Sequence, residues 1–141
     1  MASSATPYVW SLILSFAALL ISIILLYAAR FSARLEVKDL AALRSMFDRF
    51  PAWGKRASWA QQNSFEAFAM HAPAALLAVV AVLNGHALPG IAVAVALAHP
   101  VLRVAYISAY ILNVPIARSV AWFLGLLCSG ILYGVGLEAL V

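Results

Sequence analysis

Three short stretches of this chain carry side chains able to do chemistry inside an otherwise apolar sequence: "RASWAQQNSFEAF" (Arg56 to Phe68), "RVAYISAY" (Arg103 to Tyr110) and "ARS" (Ala117 to Ser119). Read as helices, the first places Arg56 and Asn63 almost one above the other, with Glu66 about 80° away on the same side. In the second, Arg103, Tyr106 and Tyr110 fall at i, i+3 and i+7 and share a face. Arg118 and Ser119 open the segment that follows. Three guanidinium groups, an amide, two phenols and one carboxylate form a cation-rich set, and the chemistry it suits is holding an anion and stabilising negative charge on it. Two histidines, His71 and His99, form a second set that could ligate a haem from facing helices. Alternatively, His99 bonds backbone freed by Pro100 and His71 pairs with a polar neighbour. The single cysteine, Cys128, excludes an internal disulfide and a thiolate metal site and reads as a small buried hydrophobe. No metal site is expected.

The elements that position these residues are set by composition. Of 141 residues, 66% are hydrophobic and 10% charged, against about 25% charged in a soluble domain. A chain this short cannot hide that apolar excess inside a globule, so most of its solvent is lipid. Four spans follow at about 8–29, 57–83, 88–112 and 115–140, each long enough for a hydrocarbon core of about 30 Å. With no Lys or Arg ahead of it, the first reads as a retained helix and not a cleaved leader. Asn84 to Gly90 ("NGHALPG") is a turn. Asn113 should cap and Pro115 should start the fourth span, and Pro100 should kink the third. The expected fold is all-α, a single-domain, left-handed antiparallel four-helix bundle integral to a membrane.

All nine Lys and Arg lie in the connection over about 30–56 or around the hairpin between spans three and four. The positive-inside rule then faces that side to the cytoplasm and both termini away from it. A bacterial inner membrane, a photosynthetic membrane and an endoplasmic reticulum all fit. The net charge of +4 is modest, and the expected partner is a lipid bilayer, not nucleic acid. Within the connection, Leu40, Leu43 and Phe47 suggest a short amphipathic helix ended by Pro51 and Gly54, lying at the interface or as a solvated surface helix. Helix direction brings Arg56, Asn63, Glu66, Arg103, Tyr106, Tyr110, Arg118 and Ser119 to similar depth near the cytoplasmic mouth. Two plainer readings stand beside an anion site: Glu66 simply pairs with Arg103 while the tyrosines join an interfacial belt, or the glycines of "GLLCSG" and "GVG" pack the chain into a larger complex as an accessory subunit.

The three stretches, in this order over four spans, resemble the MAPEG family, membrane-associated proteins in eicosanoid and glutathione metabolism. The matching elements are Arg56-Ala57, Asn63-Ser64-Phe65-Glu66, the Arg103/Tyr106/Tyr110 pattern and Arg118-Ser119. The resemblance implies a homotrimer that binds glutathione as co-substrate between adjacent protomers. Arg56, Asn63, Glu66, Arg103, Tyr106 and Tyr110 would then serve binding, and Arg118 with Ser119 would sit beside the sulfur. It further implies a glutathione transferase or peroxidase acting on lipophilic electrophiles or hydroperoxides that arrive from the bilayer. The chain departs from leukotriene-forming members at Trp59, where they carry arginine, and at Ala67, where they carry tyrosine.

Overall fold

A computed structural model describes residues 4–141. Four long helices form: α1 (Thr6–Ser32), α2 (Ala52–Leu83), α3 (Gly90–Ile111) and α4 (Pro115–Leu140), each long and apolar enough to cross a membrane. Contacts give their directions. Ser11 and Ser15 of α1 meet Ala96 and His99 of α3 in the same order, so these two run parallel. Arg56, Ser64 and His71 of α2 meet Ile111, Arg103 and His99 of α3 in reverse order, so these run antiparallel. The bundle therefore goes up, down, up, down. α1 and α4 occupy opposite corners, each packed on both α2 and α3.

The core is built from small residues. Ala57, Ala60, Ser64, Ala67, His71, Ala74, Ala78 and Ala81 make the buried stripe of α2 at helical spacing, and Ser11, Ser15, Ala18 and Ser22 do so on α1. Large apolar side chains such as Ile24, Phe31 and Leu83 point outward. This inside-small, outside-large arrangement is what lipid permits, because burying a leucine gains little when the solvent is itself hydrocarbon, while close helix approach gains dispersion contacts. Two glycines mark the closest approaches. A Cβ on Gly54 would stand 2.9 Å from Ala29 Cβ, and one on Gly136 would stand 3.2 Å from Leu77 Cβ. Gly136→Val should therefore lower stability by about 1–3 kcal/mol through overpacking. Gly134→Val, with nothing within 4 Å of its Cβ, should stay within about 0.5 kcal/mol. Thermal unfolding in detergent, with equal melting of both variants, would refute this.

Boundaries differ from the sequence expectation in informative ways. α2 begins at Ala52 instead of near Ala57, because Pro51 is extended and starts the helix, and Gly54 is not a breaker but the point where α1 and α2 touch. α3 stays helical through Pro100. Asn113 does not cap α4, whose N-cap is Val114 with no side-chain bond; it closes the end of α3 through its backbone instead. At φ 59 it takes the left-handed position while Val114 N–H bonds the Ala109 carbonyl at 2.8 Å and Asn113 N–H bonds that of Tyr110 at 3.2 Å. The same motif ends α2 at Gly85 and α1 at Arg34. Pro115 does open α4.

The connection between α1 and α2 forms two short 3₁₀ segments, Val37–Ala41 and Leu43–Arg49, in place of one amphipathic helix. Ala42, at φ −151, separates them. Met46 and Phe50 anchor it against Leu26 and Ala29, with Leu43 and Phe47 at the margin, whereas Leu40 is exposed. Arg49 donates to Asp39 at 2.6 Å, and this bond holds the Asp39 carboxyl below its usual range.

Candidate functional site

The loop-side ends of α2, α3 and α4 enclose an open chamber of about 480 Å³ lined by Asn63, Tyr106, Tyr110, Arg118, Ser119 and two apolar side chains, Trp122 and Phe123. Helical spacing puts them there. Tyr106 and Tyr110 are one turn apart on α3, Arg118 and Trp122 one turn apart on α4, and the tight Asn113 turn brings the two pairs together. Tyr106 and Tyr110 meet edge to face, centroids 5.5 Å apart, and the Arg118 guanidinium lies over the Tyr110 ring at 4.8 Å. Among the described residues Arg118 makes no side-chain hydrogen bond or ion pair, so its positive charge faces the chamber uncompensated.

Arg103 lies outside the chamber lining, one turn deeper on α3 than Tyr106. It is buried, its Nη2 donates to Asn63 Oδ1 at 3.0 Å and lies 3.4 Å from Ser64 Oγ, and its guanidinium lies over Tyr106 at 4.2 Å. No acidic group pairs with it among the described residues. A cation held only by neutral acceptors and an aromatic face, one turn behind the chamber wall, adds positive potential to it.

Glu66 and Arg56 also lie outside the chamber lining. Glu66 is exposed and does not pair with Arg103, so the plain ion-pair reading is corrected. It stands five residues before His71, about 140° round the axis from the buried face, and lines a separate groove of about 510 Å³ with Arg44, Gln61 and Gln62. Its carboxylate accepts a long 3.4 Å bond from Gln62. Arg56 stays beside the cluster, lining a narrow gap with Tyr110 and Arg118, while its Nε donates to the Ile111 carbonyl at 3.1 Å and satisfies the C-terminal end of α3. Trp59 packs between Phe47 and Tyr110, centroids 5.6 and 6.4 Å away, tying the loop to the chamber rim.

The two histidines meet mid-bundle, as their depth implied, but not as haem ligands. Their rings stack face to face at 3.5 Å and 4°. A bis-histidine site needs each ring to aim a nitrogen at an iron between them. Here His71 Nε2 meets Ser11 at 2.8 Å, His71 Nδ1 meets Ser129 at 3.0 Å and His99 Nδ1 meets Ser15 at 3.0 Å. Ser11 gives its own proton to the Ala96 carbonyl at 2.6 Å. His71 Nε2 must therefore be the donor to Ser11, and Nδ1 the acceptor from Ser129. His71 thus does pair with polar neighbours, while His99 bonds a serine and not freed backbone. The serines were the part missed from sequence. Their signal was present as a polar row, Ser11, Ser15 and Ser22, on one face of the least polar span.

The family model described as MAPEG family matches residues 8–137, nearly the whole chain. No curated protein and no solved structure matches it.

Proposed function

Since the chain belongs to the MAPEG family, an integral membrane family of glutathione and eicosanoid metabolism, we propose that it binds glutathione in the chamber beside Arg118 and uses the thiolate on a lipophilic partner. The observation that carries this reading is the uncompensated Arg118 guanidinium over Tyr110, in a chamber shared with Tyr106 and Asn63 and with the buried Arg103 one turn behind them. Glutathione is a net anion with a thiol, and it matches such a surface in both charge and size. Arg103, Asn63, Tyr106 and Tyr110 hold its carboxylate and amide groups. Arg118, with Ser119 beside it, faces the sulfur and favours its anionic form. The thiolate forms a C–S bond with an electrophilic carbon, displacing a leaving group or opening a strained ring, or it attacks the terminal oxygen of a hydroperoxide, so that the O–O bond breaks, the alcohol leaves, and a second glutathione converts the resulting sulfenic acid to disulfide and water.

The outward position of Glu66 supports an oligomeric site. In a homotrimer the groove with Glu66, Gln62 and Arg44 on one protomer faces the chamber of the next, and Glu66 meets the ammonium end of the tripeptide. Arg56 acts in this reading through the α3 end that it holds and not by contact with ligand. The basic loop side faces the cytoplasm.

Titration calorimetry on the purified protein in detergent tests this directly. Saturable heat is expected at micromolar to millimolar glutathione. Absence of both heat and thermal stabilisation at several millimolar would overturn the reading.

A further inference from the structure

Where α3 turns into α4, a second and smaller space lies beside the chamber. It is a gap of about 20 Å³ lined by parts of that turn and by two arginines, Arg56 of α2 and Arg118 of α4. Tyr110 and Arg118 also line the chamber, so they form the wall that the two spaces share. A volume of this order holds one sphere of about a water's size and has no room for a whole carboxylate or phosphate group.

The surroundings of the gap are of one sign. None of the chain's five carboxylate side chains lines it. Glu36 and Asp39 are paired with Lys38 and Arg49, and Glu66 lines the outer groove. The carbonyls that end α3 are engaged. Those of Ser108, Ala109 and Tyr110 accept from the N–H groups of Leu112, Val114 and Asn113, and that of Ile111 accepts from Arg56 Nε. Both arginines are half-buried. Beyond that one bond, the Arg56 guanidinium has no hydrogen-bond partner among the described residues, and Arg118 has only the Tyr110 ring. Val114 and Pro115, where α4 begins, line the gap as well, and the positive end of that helix adds to the same sign. Two positive charges beside one small space repel each other, more strongly as water is excluded. An anion between them replaces that repulsion with two attractions.

We propose that this gap is a halide site, taking one chloride between Arg56 and Arg118, and that the ion sets how strongly Arg118 acts on the chamber. The first half stands on the gap and its charges alone, and the second rests on the thiol reading above. A single-atom anion meets the size limit and accepts from N–H groups in any direction. With chloride in place part of the Arg118 field is cancelled, and less is left to stabilise a thiolate across the shared wall. Chloride is then a brake on the chemistry and not a reactant.

The experiment titrates the purified protein in non-ionic detergent with chloride at constant ionic strength, gluconate making up the balance. Chlorine magnetic resonance line width and thermal unfolding are read. Line broadening should saturate with a half-point on the order of 10 mM. The unfolding temperature should rise by about 3–6 °C at tenfold excess over that concentration. Bromide should compete with chloride, and sulfate, too large for the gap, should not. Arg56→Gln removes one charge and keeps a donor for the Ile111 carbonyl, and it should lose the saturable broadening. Arg56→Lys keeps the charge and should retain it in weakened form. With glutathione bound, thiolate absorbance at neutral pH should fall roughly threefold as chloride replaces gluconate, and Arg56→Gln should show no such fall. Broadening that never saturates, or that is unchanged in Arg56→Gln, would overturn the proposal, with the gap then holding water. Sulfate competing as well as bromide would also overturn it and move the anion to the open chamber. Chloride binding with constant thiolate absorbance would remove the regulatory half. Saturable chloride binding without glutathione heat would sink the thiol reading and leave the halide site standing.

Discussion

Arg118→Ala should abolish the ultraviolet thiolate absorbance of bound glutathione at neutral pH while weakening its binding by less than about tenfold. The thiol of a free cysteine titrates near 8.5, so only a small fraction is ionised at neutrality. A guanidinium about 5 Å away, at the effective dielectric of a protein surface, favours the thiolate by about 3 kcal/mol, or about two pKa units. Arg118 is free to act this way because it has no acidic partner among the described residues and is braced over the Tyr110 ring. Removing it returns the thiol to its ordinary range, so the thiolate should reappear only as pH rises. Turnover should fall about a hundredfold to a thousandfold, the scale of losing one charge-stabilising group. Binding should fall less, since a single half-exposed ion pair is worth about 1 kcal/mol. Arg118→Lys keeps the charge without the planar fork and should fall between. Equal absorbance in wild type and Arg118→Ala would remove this residue from the chemistry.

The largest effect on stability is expected at His71. Its ring is fully buried, bonded at both nitrogens and stacked on His99. Two terms compete for the cost of removing it. Polar contacts within membrane bundles average only about 0.6 kcal/mol each, so the two hydrogen bonds amount to about 1 kcal/mol. The void left by truncating a ring-sized side chain costs more, about 3–5 kcal/mol. Packing therefore dominates, and the order of variants follows. His71→Ala should be the most destabilised. His71→Leu should lose only about 1–2 kcal/mol, because Ser11 keeps the Ala96 carbonyl and Ser129 can turn to that of Gly125, 3.2 Å away. Denaturant or thermal unfolding in detergent would read the order. A leucine variant as weak as the alanine variant would show instead that the hydrogen bonds outweigh the packing.

Much of this architecture was legible because lipid simplifies the code. Four apolar runs, each the length of a bilayer and carrying two charged residues at most, and punctuation at Asn84-Gly85 and Asn113-Pro115 determine four helices and their alternation. The meeting of Arg103, Tyr106, Tyr110 and Arg118 was readable too, since a short hairpin leaves the adjoining ends of two helices no choice but to lie side by side. Glu66 was misplaced because seven-residue spacing from Arg56 to Asn63 says which residues share a face, not which face turns inward. That is decided by the alanine and serine stripe, which points about 140° away from Glu66. Arg56 left packing and binding both open. An arginine at a helix mouth answers equally to an anion or to free carbonyls, and only the position of Ile111 chooses between them. The interior serines look like ordinary small packing residues until the histidines opposite them are seen.

Gly136 and Gly125 lie on the buried side of α4, yet their surroundings differ. At Gly136 the α2 backbone stands close enough that a methyl group would collide with Leu77, whereas at Gly125 no atom comes nearer than 3.9 Å to a Cβ. α4 thus presses on the α2 backbone at the end remote from the basic loop, whereas at Gly125 it meets α3 side chains at ordinary contact distance. The two glycines therefore serve different ends: one lets two helix backbones meet, and the other leaves room beside a pair of interior side chains.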